Sequence, residues 1–429
     1  MLGGCHAPGP IAPRGKSGSA PEKAQRNDRV GRQDAAVDLP ELSDDVVRLR
    51  ALHTDDVGTG APGERSVVSQ SRDPETTRWT TVPLAYNPEL GGRFLADGAR
   101  GWADGSTFTF AITDAGSDEF LGSLDLRADL MRTYRVGFGL GPWARGRGLM
   151  TRALRLALGW AFASDGLAAE QVTWEAFAGN WASRKAAWRV GFRGFATVRG
   201  LSEHRGVVTD GWIATLRPAE LGHPEGRWLD VPTLPVTTRD GSAWVLRPWR
   251  GPDDEAEVAA ALRAAGDAVT HRWLRHLPHP YTESDAREFL ASRPEGPATG
   301  STLSWTLGPA SGGPGVLSLT AFGFDRPYGN PELGWWADPA ARGRGLVSAA
   351  LRRAVGWLLH EAPVGVRTHR LVAQIDAGNH ASARVALAAG FTEFGRGHAE
   401  DPDPAGGWSD CRYFELLRAD AGSGAVTGG

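Results

Sequence analysis

The sequence predicts an α/β fold that the chain contains twice, and two observations support this prediction. First, a segment with the letters R-G-R-G-L occurs at 145–149 and returns unchanged at 342–346. Second, both copies follow a short apolar run with strand-like alternation and precede a run with the apolar spacing of an amphipathic helix. Strands and helices arranged around a glycine turn are typical of an α/β domain.

The similarity between the two halves extends well beyond this glycine turn. Pairs of glycine or arginine with an aromatic residue recur at nearly the same separation. The matched pairs are Arg78-Trp79 and Arg272-Trp273, Gly159-Trp160 and Gly356-Trp357, and Gly191-Phe192 and Gly390-Phe391. A repeat this long contains a whole domain rather than one unit of a solenoid, so we predict that the chain arose by duplication of one domain.

Length, charge and cysteine content limit the classes of function. The 429 residues suffice for two domains, each large enough to bury a core. The formal net charge of −3 gives no reason to expect nucleic acid or an anionic membrane as a partner. The two cysteines are too few for a disulfide framework, and no apolar run approaches the roughly 18 residues of a membrane span. These features favour a cytoplasmic protein.

Composition sets the expected domain limits. Residues 1–45 mix Gly, Pro, Ser and charges with few large apolar residues, which predicts a disordered extension. One domain is expected at 46–220 and another at 241–419, with a proline-rich linker at 221–240 that suits neither a helix nor a central strand. The small, polar residues 420–429 predict a frayed end.

The elements of the first domain follow from the apolar spacing. Alternation predicts strands at 108–112, 120–126 and 135–140, the last of which leads to the glycine turn. The helix after the turn has an apolar stripe at Met150, Ala153, Leu154, Ala157, Leu158 and Ala161. A strand at 171–176 and a late strand at 207–216 enclose a second helix through Ser183.

The second domain is predicted to repeat this order. The stripe of its helix after the turn consists of Val347, Ala350, Leu351, Ala354, Val355 and Leu358. A strand at 370–375, a helix through Ser382 and a late strand at 411–417 follow.

The glycine turn has the features of a phosphate site. A glycine-rich turn that opens a helix presents unpaired backbone N–H groups and the positive end of the helix dipole to an anion. Glycines also leave no Cβ in the way of a phosphate, and the two arginines of each turn can add charge-assisted hydrogen bonds. The nucleotide motifs G-x-x-x-x-G-K-[ST] and G-x-G-x-x-G do not fit. A basic loop or a capping turn would explain one copy, whereas two copies in the same context favour a phosphate site.

The strand, the R-G-R-G-L turn, a later N-x-x-S and the Gly-Phe pair together resemble the GNAT superfamily of acyl-CoA-dependent N-acetyltransferases. The chain is most similar to the RimJ/RimL branch, which acetylates the N-termini of ribosomal proteins. The first two fixed positions of that family's pyrophosphate loop, [RQ]-x-x-G-x-[GA], are matched by Arg145 and Gly148 and by Arg342 and Gly345. Larger residues, Met150 and Val347, stand at its last position. The resemblance covers residues 46–217 and 242–418.

This resemblance implies two tandem domains, each with a mixed, mostly antiparallel sheet flanked by helices. It also implies direct transfer of an acetyl group from acetyl-CoA to an amine, without a metal. The residues that it implies for cofactor binding are Leu140, Arg145, Gly146, Arg147, Gly148, Leu149, Met150 and Asn180 in the first domain. In the second domain they are Ala337, Arg342, Gly343, Arg344, Gly345, Leu346, Val347 and Asn379.

The N-x-x-S motif is placed by the same resemblance near the pantetheine and the sulfur of acetyl-CoA. It assigns Ser183 and Ser382 to catalysis beside Asn180 and Asn379. The alternative for each serine is an ordinary residue of the first helical turn that bonds its own backbone.

The candidate bases differ between the two copies. An amine must be neutral to attack, so a general base is expected. The first domain offers Glu175, whose counterpart is Gln374, whereas the second offers Glu332 and Asp376. Each carboxylate could equally be a solvated side chain at a strand end. The asymmetry suggests divergent acceptors, or one catalytic and one supporting domain, and we favour the first domain as the active copy.

Other side chains allow two interpretations. Trp79, Trp102, Trp273 and Trp335 either pack in the core and between domains or line an acceptor cleft. The histidines at 271, 276 and 279 flank prolines and have no cysteine or carboxylate cluster beside them, so we predict loop histidines and no metal site.

Three functions from different classes remain to be compared. The first is an acetyl-CoA-dependent N-acetyltransferase that acts on a protein N-terminus or a small-molecule amine. The second is a degenerate acyl-CoA sensor or scaffold, and the third is an aminoacyl transferase that uses charged tRNA. Two intact glycine turns favour the first and argue against the third, as does the near-neutral charge. The duplication also suggests that the two domains pair as an intramolecular pseudo-dimer.

Overall fold

The computed structural model describes residues 40–326, 330–403 and 406–421. Most of the predicted disordered extension and most of the predicted frayed end lie outside these ranges. Within the described part, the structure differs from the expectation at 42–43, which form a short strand. Leu42 pairs with Leu49, and the Asp44 carboxylate accepts hydrogen bonds from the Val46 and Val47 N–H groups at 2.8 Å each, which fixes the turn.

Domain one, as named here, is the first sheet with its helices. Its strands are β1 (Leu42–Ser43), β2 (Val47–Arg50), β3 (Thr107–Asp114), β4 (Phe120–Ala128), β5 (Thr133–Leu140), β6 (Gln171–Phe177), β7 (Arg193–His204) and β8 (Val207–Leu216). Its helices are α1 (Thr54–Val57), α2 (Val67–Arg72), α3 (Pro74–Trp79), α4 (Pro88–Asp104), α5 (Leu149–Phe162) and α6 (Trp181–Val190). Short 3-10 helices lie at Pro142–Ala144 and Pro218–Glu220.

Domain two is the second sheet with its helices. Its strands are β9 (Leu234–Thr237), β10 (Ala243–Arg247), β11 (Thr302–Pro309), β12 (Leu317–Phe322), β13 (Glu332–Ala337), β14 (Arg370–Asp376), β15 (Thr392–Pro402) and β16 (Trp408–Leu417). Its helices are α7 (Glu255–Ala265), α8 (Ala268–Trp273), α9 (Glu283–Ser292), α10 (Glu295–Thr299), α11 (Leu346–Gly356), α12 (His380–Ala388) and α13 (Arg418–Ala421). A 3-10 helix lies at Pro339–Ala341 and a π-helix at Trp357–Glu361.

The two sheets have the same strand order, which confirms the predicted duplication and fold class. Among the described residues, each sheet has eight strands, in the order β1-β2-β3-β4-β5-β6-β8-β7 and β9-β10-β11-β12-β13-β14-β16-β15. The pairs β5–β6 and β13–β14 are parallel, and the other neighbouring strands recorded are antiparallel. Each sheet is therefore mixed and mostly antiparallel.

The predicted helical stripes bury the main core of each domain. Ala153, Leu154 and Leu158 of α5 are fully buried against the first sheet, and Leu351, Ala354 and Leu358 are buried in the same way in domain two. Burial of such side chains contributes about 25 cal/mol per Å² of apolar surface, so this face anchors the helix that follows each glycine turn.

The expected linker at 221–240 contains a strand, which was not predicted because the segment is rich in proline. β9 lies at the edge of the second sheet, where Leu234 and Val236 point into the core and Pro235 is exposed. Proline lacks an N–H donor, and an edge strand is one of the few sheet positions that tolerate this. Part of the segment therefore belongs to domain two, while the domain limits themselves stay predictions.

One opening in each sheet lies beside the glycine turn. Strands β5 and β6 pair from Thr133 as far as Val136, although β5 continues to Leu140 and β6 to Phe177. Their counterparts β13 and β14 pair only at Glu332. Beyond these positions the two parallel strands separate, so backbone N–H and C=O groups along their facing edges are left for another partner.

Candidate functional site

The glycine turn has the same backbone conformation in both domains. Gly146 and Gly148 have φ values of 75° and 76°, and Gly343 and Gly345 have values of 71° and 74°. These are left-handed conformations that residues with a side chain rarely adopt. A Cβ built at any of the four would meet no atom within 4 Å, so the space in front of the turn is open.

The turn presents a row of free backbone donors. Within the described residues, no acceptor is recorded for the N–H groups of 146–150 or of 343–347, and neither helix has a side-chain cap at Gly148 or Gly345. Helices α5 and α11 begin directly after these glycines, so the positive end of each helix dipole coincides with the free N–H groups. This arrangement fits an anion.

The first arginine of each turn has a different role from the one that its position suggests. Arg145 donates from Nε to the Leu140 carbonyl at 3.1 Å and from Nη2 to the Asp73 carboxylate at 2.6 Å and Thr76 Oγ1 at 3.0 Å. Nε and Nη2 of Arg145 are therefore engaged within the protein, and its contact with a phosphate stays a prediction.

Domain two repeats this arrangement. Arg342 donates from Nε to the Ala337 carbonyl at 3.2 Å and from Nη2 to the Asp267 carboxylate at 2.6 Å and Thr270 Oγ1 at 2.9 Å. The second arginines differ, because Arg147 and Arg344 are exposed at the open side of the turn. They are the cationic side chains of the turn that remain able to meet an anion.

The aspartates that hold Arg145 and Arg342 belong to two short helices, which we call the bridging helices, α3 and α8. Asp73 and Asp267 are their N-caps. Burial acts to raise the pKa of Asp73, but the hydrogen bonds from Arg145 and the Thr76 N–H outweigh it and lower the pKa. The same balance lowers the pKa of Asp267. Both carboxylates are therefore charged at neutral pH.

The far end of each bridging helix contacts the turn before the N-x-x-S motif. A Cβ at Gly179 would lie 3.3 Å from the indole ring of Trp79, and one at Gly378 would lie 3.5 Å from that of Trp273. Sequence reasoning found the Arg-Trp pairs but not the aspartates. The pattern D-x-x-T-x-R-W, at 73–79 and again at 267–273, was the available signal.

The asparagines of the N-x-x-S motif cap the helices after the sixth strand of each sheet. Asn180 Oδ1 accepts a hydrogen bond from the Ser183 N–H, and Asn379 Oδ1 accepts one from the Ser382 N–H, both at 3.1 Å. An N-cap of this kind typically stabilises a helix by about 1 kcal/mol. The asparagine side chains therefore have a structural task in both domains.

The two serines differ in their surroundings. The buried Trp174 donates its indole N–H to Ser183 Oγ at 3.0 Å, which leaves the hydroxyl hydrogen of Ser183 free to donate elsewhere. At the corresponding position of β14, domain two has Ala373. Ser382 consequently lacks this indole donor, and Ser183 is the better oriented of the two hydroxyls.

Glu175 of β6 lies beside Arg135 of the neighbouring strand β5. The two side chains form an ion pair at 3.6 Å, and Arg135 also binds Asp129 at 3.0 Å. This ion pair places a cation directly beside the Glu175 carboxylate.

Domain two has a carboxylate and a neutral amide at the positions of this ion pair. Glu332 stands where domain one has Arg135, and Gln374 stands where it has Glu175. Burial raises the pKa of the Glu332 carboxyl, and the charge of Arg326 opposes the rise only in part. A carboxylate of raised pKa is a stronger base, which suits Glu332 to accept a proton.

Asp376, the other candidate base, is held by donors from three sides. Its carboxylate accepts from Arg275 Nη2 at 2.5 Å, from Ser409 Oγ at 2.7 Å and from the Gly378 N–H at 2.8 Å. Burial acts to raise the pKa of Asp376, but these donors outweigh it and lower the pKa. The geometry suits an anchor for the loop after the bridging helix better than a base.

A cavity of about 440 Å³ adjoins the glycine turn of domain one. It is lined by Gly148 and by three arginines from α5 and α6, namely Arg152, Arg155 and Arg189. Asp44 also lines it and pairs with Arg152 at 2.8 Å. In domain two, Ala349 and Ala388 stand at the positions of Arg152 and Arg189, so two of these three cationic side chains are replaced there.

The remaining predicted cofactor residues contribute main chain rather than side chains. Leu149, Met150 and Leu346 are buried in the cores, and Val347 packs against the core of domain two. The large side chain at the last loop position therefore points away from the open face. Leu140 and Ala337 supply the carbonyls that bind the clamped arginines.

The tryptophans and histidines singled out in the sequence have different surroundings in the structure. Trp102 is buried against Phe108 at a ring distance of 4.9 Å, and Trp335 is partly buried and packs against the core of domain two. The prediction of loop histidines is wrong for His271, which lies on α8 with its ring 4.8 Å from that of His279.

Among the described residues, no helix combines the length and apolarity needed to cross a membrane.

Comparisons with known proteins agree with the architecture. A family model described as an acetyltransferase (GNAT) domain matches residues 47–193 and again 244–392. A search of curated proteins gave no significant match.

Solved structures with similarity to this chain include three acetyltransferases. A GNAT-family acetyltransferase from Bacillus anthracis is 17% identical, covers 44% of this chain and 99% of its own length, and has a TM-score of 0.36. Ribosomal-protein-S5-alanine acetyltransferase from Vibrio fischeri is 16% identical, with 42% and 98% covered and a TM-score of 0.37. RimJ from Mycobacterium smegmatis, in complex with CoA-disulfide, is 19% identical, with 43% and 90% covered and a TM-score of 0.35.

The family model accounts for more than half of the chain and finds its two matches on the two sheets with the shared strand order. The protein belongs to the GNAT acetyltransferases and contains two GNAT domains in tandem.

Proposed function

We propose that this protein moves the acetyl group of acetyl-CoA to a primary amine, either a protein N-terminus or a small-molecule amine, by direct attack. The amine nitrogen forms a bond to the thioester carbonyl carbon, the carbon–sulfur bond breaks, and CoA leaves as a thiolate that takes up a proton. The observation that supports this most directly is the duplicated turn with five free N–H groups beside two separating parallel strands.

The pyrophosphate of acetyl-CoA is proposed to bind the free N–H groups of 146–150 and of 343–347. Arg147 and Arg344 would contribute charge, since Arg145 and Arg342 are engaged elsewhere. The separated strand edges offer backbone donors and acceptors to the amide groups of pantetheine, which would bring the thioester towards the N-x-x-S turn. In domain one, the cationic cavity beside Gly148 would receive the remaining anionic part of the nucleotide.

The acceptor amine is proposed to approach from the side of the sheet that carries the bridging helix. Glu332 is the base that domain two offers, because its carboxyl is desolvated and has no ion pair among the described residues. Glu175 would serve domain one less well, since Arg135 neutralises it. Asp376 is not retained as a base because three donors occupy its oxygens.

Ser183 is proposed to donate a hydrogen bond to the departing thiolate. Trp174 fills an acceptor position of the hydroxyl oxygen, so the hydroxyl hydrogen is available to the sulfur. Ser382 would take the same part in domain two without an indole to orient it. A hydrogen bond to a charged group contributes about 1.5–3 kcal/mol, which makes the serine a contributor to the rate rather than a requirement.

The alternative function, an acyl-CoA sensor or scaffold, also has an observation in its favour. Each domain lacks one part that the other has, because domain one pairs its carboxylate with Arg135 and domain two replaces two arginines by alanines. Two incomplete copies would bind an acyl-CoA without efficient turnover. Activity therefore has to be measured separately from binding.

An assay of CoA thiol release with a panel of amines tests the proposal. The panel would contain N-terminal peptides, polyamines and aminoglycosides, and acetylated products would be identified by mass spectrometry. We expect turnover in the wild type and its loss in the double variant Gly148→Trp/Gly345→Trp, whose side chains would fill the open space before both turns.

The matched control is Gly105→Trp/Gly241→Trp. These glycines also have positive φ and open surroundings, so they impose comparable strain away from the turns. Binding of acetyl-CoA without acetylation of any amine in the panel would support the sensor instead.

A further inference from the structure

We propose that Arg145 and Arg342 are positioning residues that couple the cofactor turn to the bridging helix of the same domain. The inference rests on the proposed function, because it assumes that acetyl-CoA binds the turn. The binding event would then be transmitted through the arginine to the helix that borders the acceptor side. Neither arginine would contact the phosphates.

The contacts of Arg145 join three separate parts of domain one. Its backbone belongs to the glycine turn, its Nε binds the last carbonyl of β5, and its Nη2 binds Asp73 and Thr76 at the start of α3. Asp73 is 72 positions away in sequence, so the link is tertiary. A charge-assisted hydrogen bond of 2.6 Å to a mostly buried carboxylate is a strong contact of this kind.

Domain two has the same set of contacts between the turn arginine, the preceding strand and the bridging helix, and it provides a second, independent example of them. Arg342 joins the second turn to the Ala337 carbonyl, Asp267 and Thr270 with nearly the same distances. The residues that surround the two junctions differ, since the bridging helix is P-E-T-T-R-W in one domain and A-V-T-H-R-W in the other. The arginine, the aspartate and the threonine are what both copies share.

The bridging helix ends where the acetyl group would be. The guanidinium carbons of Arg78 and Arg272 lie over the indole rings of Trp79 and Trp273, 4.7 Å from the ring centre in each case. The two indoles lie against Gly179 and Gly378. The next residue in each chain segment is the capping asparagine of the N-x-x-S motif. The helix thus spans the distance between the cofactor turn and the N-x-x-S turn, and the arginine fixes its near end.

Hydrogen–deuterium exchange with and without acetyl-CoA tests the coupling without knowledge of the acceptor. In the wild type, acetyl-CoA should protect the amides of 146–150 and slow exchange in the segment 73–80 about fivefold or more, the lower end of typical coupling between sites. In Arg145→Gln, protection at 146–150 should remain, while the response at 73–80 is lost.

A second variant guards against a general loss of structure. Asp73→Asn retains an N-cap of equal quality but removes the charge that holds Arg145. It should also lose the acetyl-CoA response at 73–80. Arg147→Gln is the matched control from the same turn, and it should weaken acetyl-CoA binding while the response at 73–80 persists at saturation.

Two results would overturn the inference. If acetyl-CoA protects 146–150 in the wild type but leaves 73–80 unchanged, or changes it equally in Arg145→Gln, the arginine is only a structural contact. If acetyl-CoA protects neither segment in the wild type, the proposed function fails and the inference fails with it. The parallel measurement at 343–347 and 267–273 with Arg342→Gln repeats the test in domain two.

Discussion

Domain one and domain two have the same backbone arrangement around the glycine turn but differ in several side chains near it. Both have the free N–H groups, the clamped arginine, the bridging helix and the capping asparagine. Domain one adds the arginine-lined cavity and the Trp174–Ser183 hydrogen bond, whereas domain two adds the desolvated Glu332. The two domains have thus kept the main-chain donors, the clamped arginine and the capping asparagine, and they differ in the side chains around the strands β6 and β14 and beside the first glycine turn.

This division suggests that the two domains have become specialised. On the proposed function, domain one would bind the nucleotide of acetyl-CoA more tightly, because its cavity has more arginines, and domain two would supply Glu332 as its base.

The largest effect is expected for the base of domain two. In a Gly148→Trp background, which silences domain one, Glu332→Gln should lower kcat by about 10²–10⁴, the usual contribution of a general base. Glu175→Gln in the complementary Gly345→Trp background should have a smaller effect, because Arg135 already neutralises that carboxylate. Equal losses in steady-state kinetics would contradict the assigned difference in basicity.

The pH dependence of domain two sharpens the same point. A base acts above its pKa, and burial raises the pKa of Glu332, so the acidic limb of kcat should lie above the ordinary glutamate value of about 4.3. Arg326→Gln should move that limb to higher pH, since the arginine charge acts to lower the pKa. A limb that does not respond to residue 326 would assign the titration to another group.

An intermediate effect is expected for the serine of domain one. Ser183→Ala should lower kcat about 10- to 100-fold, which corresponds to a hydrogen bond of about 1.5–3 kcal/mol to a charged group. Trp174→Phe should give part of this loss without a change in acetyl-CoA affinity, because it removes only the donor that orients the hydroxyl. Ser382→Ala is the matched control and should have the smaller effect. The reverse order would make the indole contact irrelevant to the rate.

A further effect concerns the cavity beside Gly148. Arg155→Gln/Arg189→Gln should weaken acetyl-CoA binding to domain one about 10-fold or more, because the loss of even one hydrogen bond to a charged group costs about 1.5–3 kcal/mol. Ala349→Arg/Ala388→Arg should strengthen binding to domain two. Calorimetry checks both, and an unchanged affinity in the first variant would place the nucleotide elsewhere.

The smallest effect is expected for the capping asparagines. Asn180→Ala and Asn379→Ala should each lower the free energy of unfolding of their domain by about 1 kcal/mol through loss of the N-cap. Thermal unfolding measures this loss. Because both asparagines make the same contact, a large difference between the two would show that one has a second task.

The fold was predictable because its signals are local. The alternation at 135–140, the glycine turn and the helical stripe that follows lie within one short segment, and each fixes its own element. β9 was missed because prolines suggest a linker unless the edge position is known.

The site was only partly predictable because its contacts are long-range. The position of Arg145 in the turn suggested a phosphate ligand. Its hydrogen bond to Asp73 was not predictable from neighbouring residues, because the two are 72 positions apart in sequence. Asp376 resembled a base by position, but the donors from Arg275 and Ser409 come from other elements. Glu332 was predicted as a candidate base from its place at the start of a strand, and that role stays a prediction, whereas its desolvation depends on the folded surroundings.

The most direct test of the central claim, that both glycine turns bind acetyl-CoA, is the stoichiometry of binding measured by titration calorimetry. We predict two sites in the wild type, the tighter in domain one, and the loss of one site each in Gly148→Trp and Gly345→Trp. The Gly105→Trp control should retain both sites. An absence of binding in the wild type, or binding that neither turn variant affects, would contradict the account.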